Sequence, residues 1–137
     1  MKRKIMIVED SLTVRRMLTQ AIAQQTGLEI DAFDTLEGAR DCHGEDYVVA
    51  LVDLTLPDAP GGEAVNVLRE RGLPVVILTA DISEEKREAW LEAGVLDYVM
   101  KDSRHSLQYA VGLVHRLYLN QAIEVLVVDD SRTSRHR

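Results

Sequence analysis

One cysteine, Cys42, stands in 137 residues, so no internal disulfide can form and nothing requires an oxidising compartment. Basic residues are scarce: 16 Lys and Arg face 23 Asp and Glu, a formal net charge of −7. That balance argues against nucleic acid as a direct partner. Long apolar runs are missing too. Met1-Lys2-Arg3-Lys4 has the charge of a signal-peptide start, but only Ile5 to Val8 follow before Glu9, too few for a secretory core or a membrane span. The expectation is a cytoplasmic protein with no membrane attachment. His43, His105, His115 and His136 lack metal-ligand spacing and read as surface or helix-end residues. Gly61-Gly62 has no Gly-Lys-Ser/Thr continuation, so it is a turn and not a phosphate loop. Trp90, the only tryptophan, reads as half-buried packing.

What the chain does have is Val48-Val49-Ala50-Leu51-Val52-Asp53, a β-branched apolar run ending on a carboxylate. Such a run suits a strand buried on both faces of a parallel sheet. Asp53 then lies at the strand's carboxyl end, where open α/β sheets place their ligands. A single acid there serves equally as a cap or turn residue, so its neighbours decide.

Four more short apolar runs are present, three of them with comparable endings. Lys4 to Val8 ends on Glu9 and Asp10, Leu28 to Phe33 gives a second strand, Val75 to Leu78 ends on Thr79, and Leu96 to Met100 ends beside Lys101. Helical patterns fill the gaps. Ser11 caps a helix with Val14, Met17, Leu18, Ala21 and Ile22 inward, closed by Gly27. A short helix is expected near Thr35 to Cys42, another over 62–71 with Ala64, Val65 and Leu68 inward, and a third from Ser83 to Ala93, stopped by Gly94. The last begins near Ser103, with Leu107, Ala110, Val111, Val114, Leu117 and Tyr118 as its core stripe. Tyr109 and Leu113 form a second strip, either a widening of that stripe or a contact surface.

Strands alternating with helices predict an α/β fold, a doubly wound five-stranded parallel sheet covered on both faces. All carboxyl ends then share one edge, which brings Glu9, Asp10, Asp53, Thr79 and Lys101 together. Carboxylates crowded there repel by roughly 4 kcal/mol per pair at 4 Å and an effective dielectric of 20. Either a pKa rises or a divalent cation binds. Oxygen-only ligands in open geometry favour Mg²⁺, and a carboxylate beside Mg²⁺ and Lys is equipped to attack phosphorus.

These residues resemble the receiver domain of two-component response regulators over about Lys4 to Leu119. Glu9-Asp10, Asp53, Thr79 and Lys101 fill the family pattern of an acidic pair, acceptor, hydroxyl and lysine at successive strand ends. Asp53-Leu54-Thr55-Leu56-Pro57 is similar to the family's Asp-x-x-Met-Pro, and Gly61 matches its glycine. The resemblance implies a flavodoxin-like strand order 2-1-3-4-5 and a phosphoryl group taken onto Asp53 from a histidine kinase or phosphotransfer protein. It implies Mg²⁺ held by Asp10, Asp53 and the Thr55 carbonyl, with Glu9 acting through water. Thr79 and Tyr98 would switch the surface of the fourth helix, fifth strand and fifth helix, through which a dimer could form. Thr55 and Asp81 would tune hydrolysis, and the domain would catalyse only its own phosphorylation and dephosphorylation. Two positions depart from the pattern: Asp102 follows Lys101 where the family has a cis proline, and Pro60 replaces an acid.

Ile5-Met6-Ile7-Val8-Glu9-Asp10-Ser11-Leu12-Thr13-Val14-Arg15 reappears 120 residues on as Val125-Leu126-Val127-Val128-Asp129-Asp130-Ser131-Arg132-Thr133-Ser134-Arg135. The expected organisation is therefore a receiver domain over 1–121 and the start of a second over 122–137. By resemblance, an output domain of diguanylate cyclase type would follow in the same chain. Residues 125–128, an apolar strand without its domain, are expected to pair with a neighbouring molecule. Two other readings fit less well. A haloacid-dehalogenase-type phosphatase wants an Asp where Thr55 stands, and a flavin binder would not place Glu9-Asp10 against phosphate. A receiver-like interaction module that never takes phosphate would not need the complete set of five residues.

Overall fold

A computed structural model describes residues 2–80, 82–101 and 104–134, with backbone alone over 122–134. Five strands, β1 (Lys4–Val8), β2 (Glu29–Phe33), β3 (Tyr47–Asp53), β4 (Val75–Thr79) and β5 (Asp97–Met100), alternate with α1 (Leu12–Thr26), α2 (Leu36–Ala39), α3 (Glu63–Glu70), α4 (Glu84–Ala93) and α5 (Arg104–Ser134). All strand pairs are parallel, in the order β2-β1-β3-β4-β5. This is the flavodoxin-like doubly wound sheet expected from the sequence.

The order explains the strand compositions. β3 and β4 are buried along their whole length, whereas the edge strands β2 and β5 are only partly covered. Alternate residues feed two cores. Met6, Val8, Ala50, Val52, Val75 and Ile77 pack towards Leu36, Ala64, Val65, Leu68 and the partly buried Trp90. Ile5, Ile7, Val49, Leu51, Val76 and Leu78 pack on the other side against Leu18, Ile22, Ala110, Val111 and Val114. The caps follow the sequence: Ser11 accepts from the Val14 amide and Ser83 from the Lys86 amide, while Gly27 and Gly94 end α1 and α4 at positive φ.

Several expectations need correction. Met17 is 47% exposed, because only Leu18 and Ile22 of α1 point squarely into the sheet. The second strip of α5 divides: Leu113 joins the core, while the exposed Tyr109 donates its hydroxyl to Asp97. The helix near Thr35 shrinks to Leu36–Ala39, and a 3-10 turn follows at Gly44–Asp46. Val125 to Val128 form no strand; α5 runs through them to Ser134. A lone strand needs a partner edge for its backbone, whereas an existing helix gains one internal hydrogen bond with each added residue. Asp81 and the Lys101–Asp102 bond lie outside the described residues, as do Arg135 and His136. Among the described residues no helix is long and apolar enough to cross a membrane.

The loop after β3 is tied to α2 by Asp58, whose Oδ1 and Oδ2 each accept a backbone amide, from Leu36 and Glu37, at 3.0 Å. The Glu37 amide, then that of Leu36, holds the Asp58 carboxyl below its ordinary value of 3.8. A depressed carboxyl stabilises the fold above its unfolded pKa and loses that effect as pH falls through the folded one. Asp58→Ala is therefore expected to lower the urea midpoint at neutral pH, and the gap to wild type should close below pH 3.8. A gap independent of pH would show that the side chain acts by packing alone.

Candidate functional site

Each strand carries its last residue to the same edge, and short backbone bonds hold those ends in register. The Glu9 amide donates to the Phe33 carbonyl at 2.9 Å, Leu54 to Leu78 at 3.2 Å and Lys101 to Thr79 at 2.9 Å. Asp53 is 1% exposed, Glu9 0% and Thr79 4%, whereas Asp10 opens to solvent. Oxygen atoms of Glu9, Asp10 and Asp53 lie within 4.8 Å of one another.

The Lys101 ammonium bridges the two buried carboxylates, 3.0 Å from Glu9 Oε1 and 3.1 Å from Asp53 Oδ2. Asp53 Oδ1 accepts both the Thr55 amide at 3.0 Å and the Thr55 hydroxyl at 3.1 Å. Glu9 Oε2 accepts the Ser11 amide at 2.9 Å. Burial pushes the Asp53 carboxyl up, but the Thr55 amide, a side-chain hydrogen bond with Asp10 and the Lys101 ammonium outweigh it and hold the group below its ordinary range. Burial dominates at Glu9, raising its carboxyl to about 7 despite Ser11 and Lys101. Burial lowers the Lys101 ammonium, yet Glu9 and Asp53 more than compensate and raise it. The residue at the centre of the edge is thus the ionised one, with a cation already against it.

Glu9, Asp10, Asp53, Thr55 and Lys101 come together, and Thr79 ends the adjacent strand with its carbonyl bonded to the Lys101 amide. Tyr98 does not line the edge. Its ring packs with the α3 and α4 core, and the Arg87 guanidinium of α4 lies 4.3 Å from the ring centroid. Trp90 is half-buried and close to the acceptor loop: a Cβ placed on Gly62 (φ +84°) would come within 2.9 Å of its ring. Arg15 escaped the sequence reading. Its Nη1 donates to the Glu9 carbonyl at 2.8 Å and reaches the Asp10 carbonyl at 3.4 Å. The available signal was its place in the repeated Ser-x-Thr-x-Arg.

The donor set fits a hard divalent cation. It consists of carboxylate oxygens, one of them exposed, beside a buried group whose negative charge is costly until a cation arrives. A carboxyl raised from 4.5 to about 7 withdraws stability as pH climbs through that interval. With chelator present, the melting temperature of the wild type should carry a falling contribution across this window, and Glu9→Gln should remove it. An undiminished slope in the variant would assign the effect to other groups.

A family model for the response regulator receiver domain matches residues 5–111. The chain is 35% identical over 101 residues to the transcriptional regulatory protein TctD of Salmonella typhimurium, covering 72% of this chain and 45% of that protein. Among solved structures, a two-component system response regulator/GGDEF domain protein is 89% identical with a TM-score of 0.85, covering 88% of this chain and 49% of that one. The chemotaxis response regulator CheY4 of Vibrio cholerae shares the fold at 22% identity and a TM-score of 0.67, covering 83% of this chain and 99% of that one. The chain spans about half the length of the curated relatives it matches. With an acidic pair, a buried carboxylate, a hydroxyl and a lysine at the strand ends of one sheet edge, this chain belongs to the response regulator receiver domain family.

Proposed function

We propose that this domain takes a phosphoryl group onto Asp53 in the presence of Mg²⁺ and uses it to control an output elsewhere in its protein. The observation that supports this best is Lys101 lying 3.1 Å from a nearly buried, ionised Asp53 whose carboxylate neighbours can hold a metal. Asp10, Asp53 and the Thr55 carbonyl would ligate Mg²⁺, with Glu9 acting through water. When bound, the ion would offset charge on the transferring group. The protein's own residues do the rest. Asp53 presents a charged oxygen to phosphorus, and Thr55 orients that carboxylate from the other side. Lys101 supplies a fixed cation, and the Thr79 hydroxyl would donate to a phosphoryl oxygen.

The donor would be a histidine kinase or phosphotransfer protein in the cytoplasm. Recruitment of Thr79 and Lys101 to the phosphoryl group would change Tyr98 and so the surface of α4, β5 and α5, the expected dimer face. The domain would catalyse only its own phosphorylation and dephosphorylation, the latter tuned by Thr55 and Asp81. The motif repeated at Val125 supports a second receiver after residue 121, and the GGDEF neighbour supports a diguanylate cyclase output beyond it. This chain covers 49% of that neighbour, which leaves room there for a further domain of similar size.

Incubation with acetyl phosphate and Mg²⁺ should add the mass of one phosphoryl group, labile to base, and Asp53→Asn should abolish it. Labelling that survives in the variant would move the acceptor elsewhere, and an unlabelled wild type would reduce the domain to an interaction module. For the phosphorylated protein, Asp81→Ala is expected to alter the dephosphorylation rate. An unchanged rate would remove Asp81 from that role.

A further inference from the structure

Asp10 presents a problem that packing does not solve. It is exposed, yet its carboxylate belongs to the cluster facing Asp53. Something must hold the turn between β1 and α1 so that this side chain points along the sheet edge and not into water. Two devices are visible. The Ser11 amide donates back to Glu9 Oε2, and the Ser11 hydroxyl caps the Val14 amide. One helical turn later, the half-buried Arg15 reaches back with Nη1 to the carbonyls of both Glu9 and Asp10, at 2.8 and 3.4 Å. Both contacts come from one terminal nitrogen, which carries two N–H groups at the end of a long stem; the ammonium of a lysine sits on a shorter stem and would fall short of them.

The repeat supplies an independent observation. Between the two copies Leu12 becomes Arg132 and Val14 becomes Ser134, but Ser11 and Arg15 recur as Ser131 and Arg135 after an acidic pair. Thr13 recurs as well, as Thr133, and of the three residues kept after the acids Ser11 and Arg15 are the two bonded to them in this structure.

We propose that Arg15 is a positioning residue for the metal-binding corner, clamping the Glu9 and Asp10 carbonyls so that their carboxylates converge with Asp53. The inference rests on the Mg²⁺ reading given above, and electrostatics gives it a sign that separates it from a mere charge effect. Arg15 is a cation beside a cation site. If it acted only through its field, removing it would tighten Mg²⁺ binding. If it positions the ligands, removing it loosens binding, since partners that orient metal ligands typically account for about 10- to 100-fold in affinity.

The test is calorimetric titration of the chelator-stripped full chain with MgCl₂, alongside amide exchange of the metal-free protein. Arg15→Ala is expected to weaken Mg²⁺ binding about tenfold, and Arg15→Lys, which keeps the charge on a shorter stem, should weaken it as well. The Ser11 amide should exchange faster in both variants while β3 and β4 stay protected. Should Arg15→Ala fail to fold, Arg15→Lys and Arg15→Gln carry the same comparison. Wild-type binding with variants that bind equally or more tightly overturns this inference alone. Loss of protection throughout the sheet overturns it too, because Arg15 would then be a general support of the fold. A wild type that takes no Mg²⁺ overturns both this inference and the reading of the site.

Discussion

The ammonium of Lys101 between Glu9 and Asp53 is the interaction on which the rest of this domain depends. A parallel sheet brings all its strand ends to one edge, and this sequence puts acids on two of them. Buried carboxylates without a counter-ion would be strongly destabilising. β5 resolves this by delivering a lysine from the far side of β4, with its own amide bonded to the Thr79 carbonyl. A four-residue edge strand is thereby fixed at its functional end, although little of it is buried.

The bridge does not serve its two partners equally. Asp53 has Lys101 on one oxygen and Thr55 on the other, and remains ionised at the edge's centre. Glu9 shares the same ammonium but bears the larger burial cost. Repulsion judged from the sequence treats the acids alike, whereas the structure assigns the strain to Glu9 and leaves Asp53 charged. That division suits the nucleophilic role proposed for Asp53 near neutral pH, beside a group that gains from an incoming cation.

The alternation of strands and helices, the caps and the convergence of Glu9, Asp10, Asp53 and Lys101 were legible because they follow from short-range pattern and chain topology, whereas the strand order came with the family resemblance. Valine-rich runs mark strands buried on both faces, and Ser or Gly at helix ends marks where helices start and stop. What was not legible depends on tertiary geometry. Met17 obeys the helical period but is largely open to solvent. Val125 to Val128 have strand composition, yet the backbone continues α5 through them. Asp58 and Arg15 act by bonding distant or reversed backbone groups, and no periodicity reports such bonds.

Carboxyl-carbon NMR titration of the metal-free protein measures this asymmetry directly. Glu9 should titrate near 7 and Asp53 below 3.8, and both should move when Lys101 is replaced by Met. Glu9 titrating near 4.5 with Asp53 near 3.8, indifferent to Lys101, would mean that the bridge does not govern the site.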